Sequence, residues 1–579
     1  MNRLIFRAIA MKLGKLKTGK TVFLLMRALL SVALLDNFAV AEKTVKAVTN
    51  KNRIIINARS RVKVSEDSDE FRLVNNRLQW NPSETAIIIC DMWDQHWCKG
   101  ATRRVAELAP RINRFVKEAR KSGVLIVHAP SATVKHYKDH PARKRAQNAP
   151  KAPNLPPDIS KWCRWINANE KTVYPIDQSD GGCDCRPKCQ GGKPWRKQID
   201  TIHITDVDAI SDSGEEVWNL FEQRGIKNVI ILGVHTNMCV LGRPFGLRNM
   251  ARYGKNVVLV RDLTDTMYNH LMRPYVNHFT GTDLIVEHIE KYICPTITSS
   301  VFTGQPPFRF KNDKRPRAVF IIAENEYDAD KTLPEFAREL ENKYDFSCEF
   351  ALGIQKTRIA KERNNIAGME ALQSADVALI YVRRRALPAE QMKYLRDYVK
   401  SSKPLIGLRT ASHAFAPRGK LQPGFVDWPE FDRDVLGGNY HGHHNNKAKD
   451  GPKTYVWVKP EMKSHPILAS VPTGKFYVRS WLYKTLPLTR TTTVLMMGRV
   501  EDRKPHEPVA WTNTHIGGGR VFYTSLGHPD DFRLPAFRRL LLNAVFWVLD
   551  KPVPKLSVNS KPYNQLTQNA RERVSVLNN

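Results

Sequence analysis

Short, unbroken apolar runs decide which architectures are open to this chain. TAIIIC (85–90), VLIVHA (124–129) and NVIILGV (228–234) offer almost no polar position on either face, so each strand must be buried on both sides. Between them, 104–122 (closed by Gly123) and 214–224 carry the spacing of amphipathic helices. Strands of this kind alternating with helices predict a mainly parallel sheet covered on both faces. The pattern continues in NVVLVRDLTD (256–265) and breaks at 299–316, a Pro- and charge-rich stretch that reads as a linker. It then restarts with AVFIIAEN, ADVALIYV and PLIGLRTASHAF. The expected fold is α/β: two three-layer α/β/α domains with mainly parallel sheets, at 83–298 and 317–553, followed by a flexible tail at 554–579. A length of 579 residues agrees, being too great for one core.

The formal net charge of +34 is high. Seven Lys/Arg against Asp36 fall in the first 41 residues, yet most of the excess lies in the remainder. Such a field favours polyanions. No Lys/Arg tract is interleaved with aromatics, so the sequence does not predict specific nucleic-acid binding. The apolar run VFLLMRALLSVALL behind a basic stretch, with Ala39-Val40-Ala41 after it, reads as a signal peptide over 1–41. It predicts an exported protein, periplasmic or secreted, with anchoring by an uncleaved signal as the alternative. Cys183, Cys185 and Cys189 crowd a Gly-rich insertion at 160–198 that also holds Cys163. In an oxidising compartment four such thiols suggest two disulfides; a zinc knot and free thiols are the rival readings.

Ligands of open parallel sheets bind beyond the carboxyl ends of the strands. In the first domain those ends carry Asp91, Asp94 and His96, then His128 and Ser131, then Asp206 and Asp208, then His235 to Cys239. Cys239 opens a helix, where free N–H groups favour a thiolate and an oxyanion. Asp91, from a neighbouring strand, is placed to exchange its proton.

AIIICDMWDQHW and NVIILGVHTNMCV resemble the two signature segments of the isochorismatase-like cysteine hydrolases, which include nicotinamidases. Gly233, Val234, Thr236, Cys239 and Val240 match the family's nucleophile turn. The resemblance implies Asp91 as general base, Cys239 as nucleophile, and an oxyanion site in the turn of Val234, His235 and Met238 with a cis Val234–His235 peptide. It also implies a catalytic Lys near position 206, where this chain has Asp206 and no Lys anywhere between 201 and 224. The missing charge is then expected from Lys135, Lys138, Arg243 or a divalent metal, zinc or manganese, held by Asp94, His96 and His128 as in nicotinamidase relatives.

The second half bears other marks. SADVALIYV, IGLRTASHAF, VLGGNYHGHH and GGGRVFYTSLGH together resemble the trehalose-utilisation, ThuA-like family, whose fold resembles class I glutamine amidotransferases. The corresponding nucleophile turn holds Thr410 and Ser412 but no Cys, so thiol amidotransfer is not expected. His413, His441, His443, His444, His515 and His528 cluster in loops, a set suited to a metal, a sugar or proton transfer. Trp481, Tyr483 and Trp511 are available to stack on a sugar. Two function classes follow. In one, an exported hydrolase uses Cys239 to cleave an amide or related C–N bond in a small molecule or carbohydrate substrate. In the other, a non-catalytic carbohydrate-binding or envelope protein is built on degenerate enzyme folds.

Overall fold

The computed structural model describes residues 53–354, 360–444, 454–501 and 505–555. The leader and nearly all of the tail expected above lie outside the described residues. The first sheet has eight strands: β1 (Ile54–Lys63), β2 (Phe71–Trp80), β3 (Thr85–Cys90), β4 (Leu125–Ala129), β5 (Ala209–Ile210), β6 (Asn228–Val234), β7 (Asn256–Asp265) and β8 (Thr296–Ile297). Their order is β2-β1-β8-β7-β6-β3-β4-β5, and β8 through β5 run parallel. Every residue of β3 and β6 is buried. The pleat explains why: Ile87 and Ile89 enter a core with helix α1 (Lys99–Lys121), while Ala86, Ile88 and Cys90 enter the opposite core with α2 (Gly214–Arg224) and α3 (His278–Tyr292).

Two boundaries differ from the sequence reading. The β1–β2 hairpin lies ahead of residue 83 but belongs to this sheet, because Arg59 pairs with Thr296 of β8. The segment 299–316 is packed rather than free. Phe308 and Phe310 lie on the α1-side core, and buried Arg315 pairs with Asp313 and Asp283 at 2.8 and 2.7 Å.

The second half starts with β9 (Arg317–Ala323), β10 (Ser347–Gly353), β11 (Ile366–Ala367), β12 (Val377–Val382), β13 (Leu387–Pro388), β14 (Leu405–Leu408) and β15 (Phe425–Val426). It continues with β16 (Thr454–Val458), β17 (Phe476–Val478), β18 (Thr493–Val500), β19 (Glu507–Thr514) and β20 (Arg520–Thr524). β13 and β15 form a small ribbon; the other ten make one sheet, ordered β11-β10-β9-β12-β14-β20-β19-β18-β16-β17. From β10 to β20 it is parallel, and beyond β20 antiparallel. Helices α4 (Ala329–Tyr344) and α6 (Pro535–Val548) cover one face, and α5 (Ala389–Lys400) covers the other. The protein is therefore a mixed α/β molecule with two large sheets, the first mainly parallel and the second parallel through its centre with an antiparallel wing.

Candidate functional site

Asp91 follows the last residue of β3 in a left-handed conformation (φ 47°), its N–H donating to the Ala129 carbonyl at 3.1 Å. β6 runs alongside, and Gly233 makes the approach feasible. Its φ is 107°, and a Cβ there would stand 2.1 Å from the Cys90 carbonyl oxygen. The Val234–His235 peptide is cis, and a single π turn, Thr236–Val240, then carries Cys239. Thr264 pins this turn by donating to the Gly233 carbonyl and meeting the Thr236 hydroxyl, each at 2.7 Å.

Asp91 is fully buried, yet every side of its carboxyl is engaged. Oδ1 accepts the Ser131 N–H at 2.8 Å, Oδ2 accepts Arg243 Nε at 3.1 Å, and the Cys239 thiol is near enough for the two groups to act on each other electrostatically. Burial pushes the Asp91 carboxyl up; Arg243, the thiol and Ser131 pull it back. Burial and then the Asp91 charge push the Cys239 thiol up, so the resting sulfur holds its proton. Cys239 retains 8% exposure.

The cation beside Asp91 is Arg243, four residues past Cys239 and stacked 5.1 Å over the Trp162 ring. Lys135 and Lys138 are exposed. Asp206 is not at the site: it precedes β5, and its exposed side chain sits away from the strand's carboxyl end, where Ser211 and Asp212 stand instead. Asp94, His96 and His128 do not converge. Asp94 pairs with Arg196 at 3.3 Å. His128 is sealed between Gln198 and Asp208, with its two ring nitrogens at 3.0 and 3.2 Å from them. His96 accepts the Cys98 N–H at 3.1 Å and stacks among Trp93, Trp97 and Trp195. Desolvation lowers His96 to about 4 and His235 to about 3. Met238 donates its N–H to the His235 carbonyl at 3.0 Å, so that donor is already engaged in the resting turn.

The insertion is a strap over this turn. Cys163 N–H donates to the Gly242 carbonyl at 2.8 Å, Gln178 accepts from Asn237 at 2.6 Å, and Tyr174 reaches the Asn237 carbonyl. Its four thiols do not pair as expected. All nine cysteines are free, Cys163 stands apart against Trp165, and the sulfurs of Cys183, Cys185 and Cys189 are joined instead by Cys98. The sequence reading passed over Cys98; its place immediately before the first residue of α1 was the available signal.

In the second half, β14 is followed by Arg409, again left-handed (φ 45°). Its buried guanidinium lies 4.2 Å from the Tyr327 ring and 5.1 Å from the Tyr483 ring, and donates to the Ser525 carbonyl at 3.0 Å. His413 stacks on Tyr440 at 4.3 Å, Tyr440 meets Tyr483 at 4.7 Å, and His528 faces Tyr327 at 6.2 Å. These two of the expected histidines meet the cluster's rings, and His443 borders it through a backbone bridge to Tyr483. His441 is exposed and bonded to the Asn439 carbonyl, and His443 lies edge-on to Trp481. His444 pairs with Glu507 at 2.8 Å, and His515 braces a hairpin through the Lys403 carbonyl and the Gly517 N–H. Trp511 is core, its N–H held by the Leu436 carbonyl. Among the described residues, no metal-ligand group forms from these histidines.

Residues 318–548 match the family model for ThuA, trehalose utilisation. Comparison with curated proteins finds no match. Solved structures similar to this chain include a ThuA-like protein from Bacteroides uniformis (18% identity, TM-score 0.31, covering 42% of this chain and 94% of that one). Another is a ThuA-like protein from Parabacteroides merdae (17%, TM-score 0.33, 42% and 94%). A third is a cysteine hydrolase from Pseudomonas syringae pv. phaseolicola (15%, TM-score 0.24, 38% and 91%).

Proposed function

We propose that the first half is a cysteine hydrolase acting on an amide or related C–N bond, with Cys239 as nucleophile and Asp91 as its proton partner. The observation that supports it is the Asp91–Arg243 ion pair, at 3.1 Å, with the Cys239 thiol electrostatically coupled to its buried carboxylate where β3 and β6 end. As the sulfur attacks the carbonyl carbon, its proton passes to Asp91. Asp91 returns that proton to the leaving nitrogen as the C–N bond breaks, and water, deprotonated by Asp91, then hydrolyses the thioester. Arg243 holds Asp91 ionised until the first transfer. The second half binds a small carbohydrate against the Tyr327, Tyr440 and Tyr483 rings. Export rests on the leader at 1–41, and N-terminal sequencing of the mature protein tests it.

Product release from a panel of small amides and N-carbamoyl compounds, followed with the full chain, tests the chemistry. Wild type turns over at least one, and Cys239→Ala and Asp91→Asn each lose on the order of 10³-fold or more in kcat. Equal turnover by Cys239→Ala sinks the assignment. The low exposure of Cys239 and the engaged Met238 N–H favour the competing reading, a binding protein on a retired enzyme fold. That reading expects no turnover, together with sugar binding that Tyr483→Ala abolishes in calorimetric titration.

A further inference from the structure

We propose that Cys98, Cys183, Cys185 and Cys189 form a mononuclear tetrathiolate zinc site that fastens the insertion to the start of α1. The four sulfurs lie within 4.8 Å of one another, and those of Cys98 and Cys185 are 3.8 Å apart. A tetrahedron with metal–sulfur distances of about 2.3 Å has edges of about 3.8 Å. A disulfide needs about 2.05 Å, and no pair has closed to it. An iron–sulfur cluster spreads its thiolates over several irons and does not fit so small a cage.

The surroundings suit sulfur as an anion. Two successive N–H groups at the start of α1 donate to the cluster: Lys99 to Cys189 at 3.4 Å and Gly100 to Cys185 at 3.1 Å. Four thiolates around one divalent ion leave a charge of about −2, which this helix N-terminus faces; Asp184, whose Oδ1 lies 3.8 Å from the Cys98 sulfur, is itself paired with Arg104 at 2.8 Å. Gly100 also fits the arrangement, since a Cβ there would lie 2.7 Å from Asp184 Oδ1 and 3.3 Å from the Cys185 sulfur. Spacing alone conceals the site: one ligand comes from before α1, and three come from a Cys-x-Cys-x3-Cys loop 85 residues or more further on.

The site stands behind the nucleophile turn. Cys98 and Cys183 are buried with Met267, and Met238, next to Cys239, packs on the same group. Gly182 lies against the Met267 carbonyl, where a Cβ would come within 2.2 Å, and that carbonyl accepts from Asn237 of the turn at 2.9 Å. Zinc thus fixes strap, helix and turn together without touching the reacting atoms.

Elemental analysis of the full chain, purified from zinc-replete culture, tests this, alongside thiol titration in denaturant. The expected result is about one zinc per chain, lost in Cys98→Ser and in Cys183→Ser, with a thiolate charge-transfer band on exchange to cadmium. A metal-free chain with nine titrating thiols overturns the proposal, as does a mass four hydrogens lighter from two disulfides, or iron as the bound metal. The wild-type measurements decide the matter even if the variants fail to fold. Loss of amide turnover in a chain that keeps its zinc would leave this site standing.

Discussion

Arg243 reaches Asp91 from just beyond the turn that carries Cys239, so the three groups to which the proposal gives the roles of nucleophile, proton partner and cation come from two adjacent strand ends. Burial drives the Asp91 carboxyl up and Arg243 is the largest force drawing it down. Arg243→Leu removes that force, so Asp91 stays protonated to higher pH. The acid limb of the kcat/KM–pH profile then moves up, whereas Arg243→Lys moves it less; an unmoved limb in Arg243→Leu would mean that Asp91 is not the titrating base. Backbone strain sets a second test. Gly233→Ala places a Cβ into the Cys90 carbonyl at a position with φ 107°. It should cost about 3 kcal/mol or more in chemical denaturation, and a loss under 1 kcal/mol would show that β6 can move off β3.

At the scale of elements, apolar runs such as TAIIIC and NVIILGV were legible because a strand buried on both faces leaves no other pattern. The β1–β2 hairpin was not, since its half-exposed, arginine-studded strands read as polar until a partner such as β8 is known. Segment 299–316 misled for a related reason: Arg315 looks solvated in sequence but is buried against two carboxylates. Asp91 and Cys239 could be placed from strand ends alone and Arg243 was among the cations the sequence offered, whereas separating Arg243 from Lys135 and Lys138, and finding the company of Cys98, required three-dimensional contact. The insertion shows what sequence leaves out. Its Glu170 is fully buried, bonded to Arg248 at 2.9 Å and to His288 at 3.2 Å. Glu170→Gln strands the Arg248 charge in the interior, a change that costs about 3–5 kcal/mol. We expect limited proteolysis to cut within 160–198 faster in this variant; cleavage at the wild-type rate would mean that the strap is held elsewhere.

For the whole molecule, pH acts on the two halves through buried groups of opposite kind, and the second half contains both in one cluster. Desolvation, with Arg384, Arg383 and Arg409 nearby, lowers His413 to about 3. Desolvation raises Asp432 to about 7, and Asp432 accepts the N–H of Tyr440, on which His413 stacks. The unfolded chain protonates His413 near pH 6.5 and the native state does not, so its contribution to stability is complete above about 6.5 and is lost as pH falls. Asp432 runs the other way: the native state keeps a proton that the unfolded chain releases near 4, so stability is lost as pH rises from about 4 to about 7. Between pH 5 and 6 each contributes a slope of about 1 kcal/mol per pH unit or a little more, of opposite sign, so the two nearly cancel. Relative to wild type, His413→Gln should therefore become less stable as pH rises across that window, and Asp432→Asn less stable as pH falls. Urea denaturation at half-unit intervals reads both slopes. Parallel profiles for wild type and both variants would place the two side chains in contact with water, and with them the mouth of the Arg409 cluster.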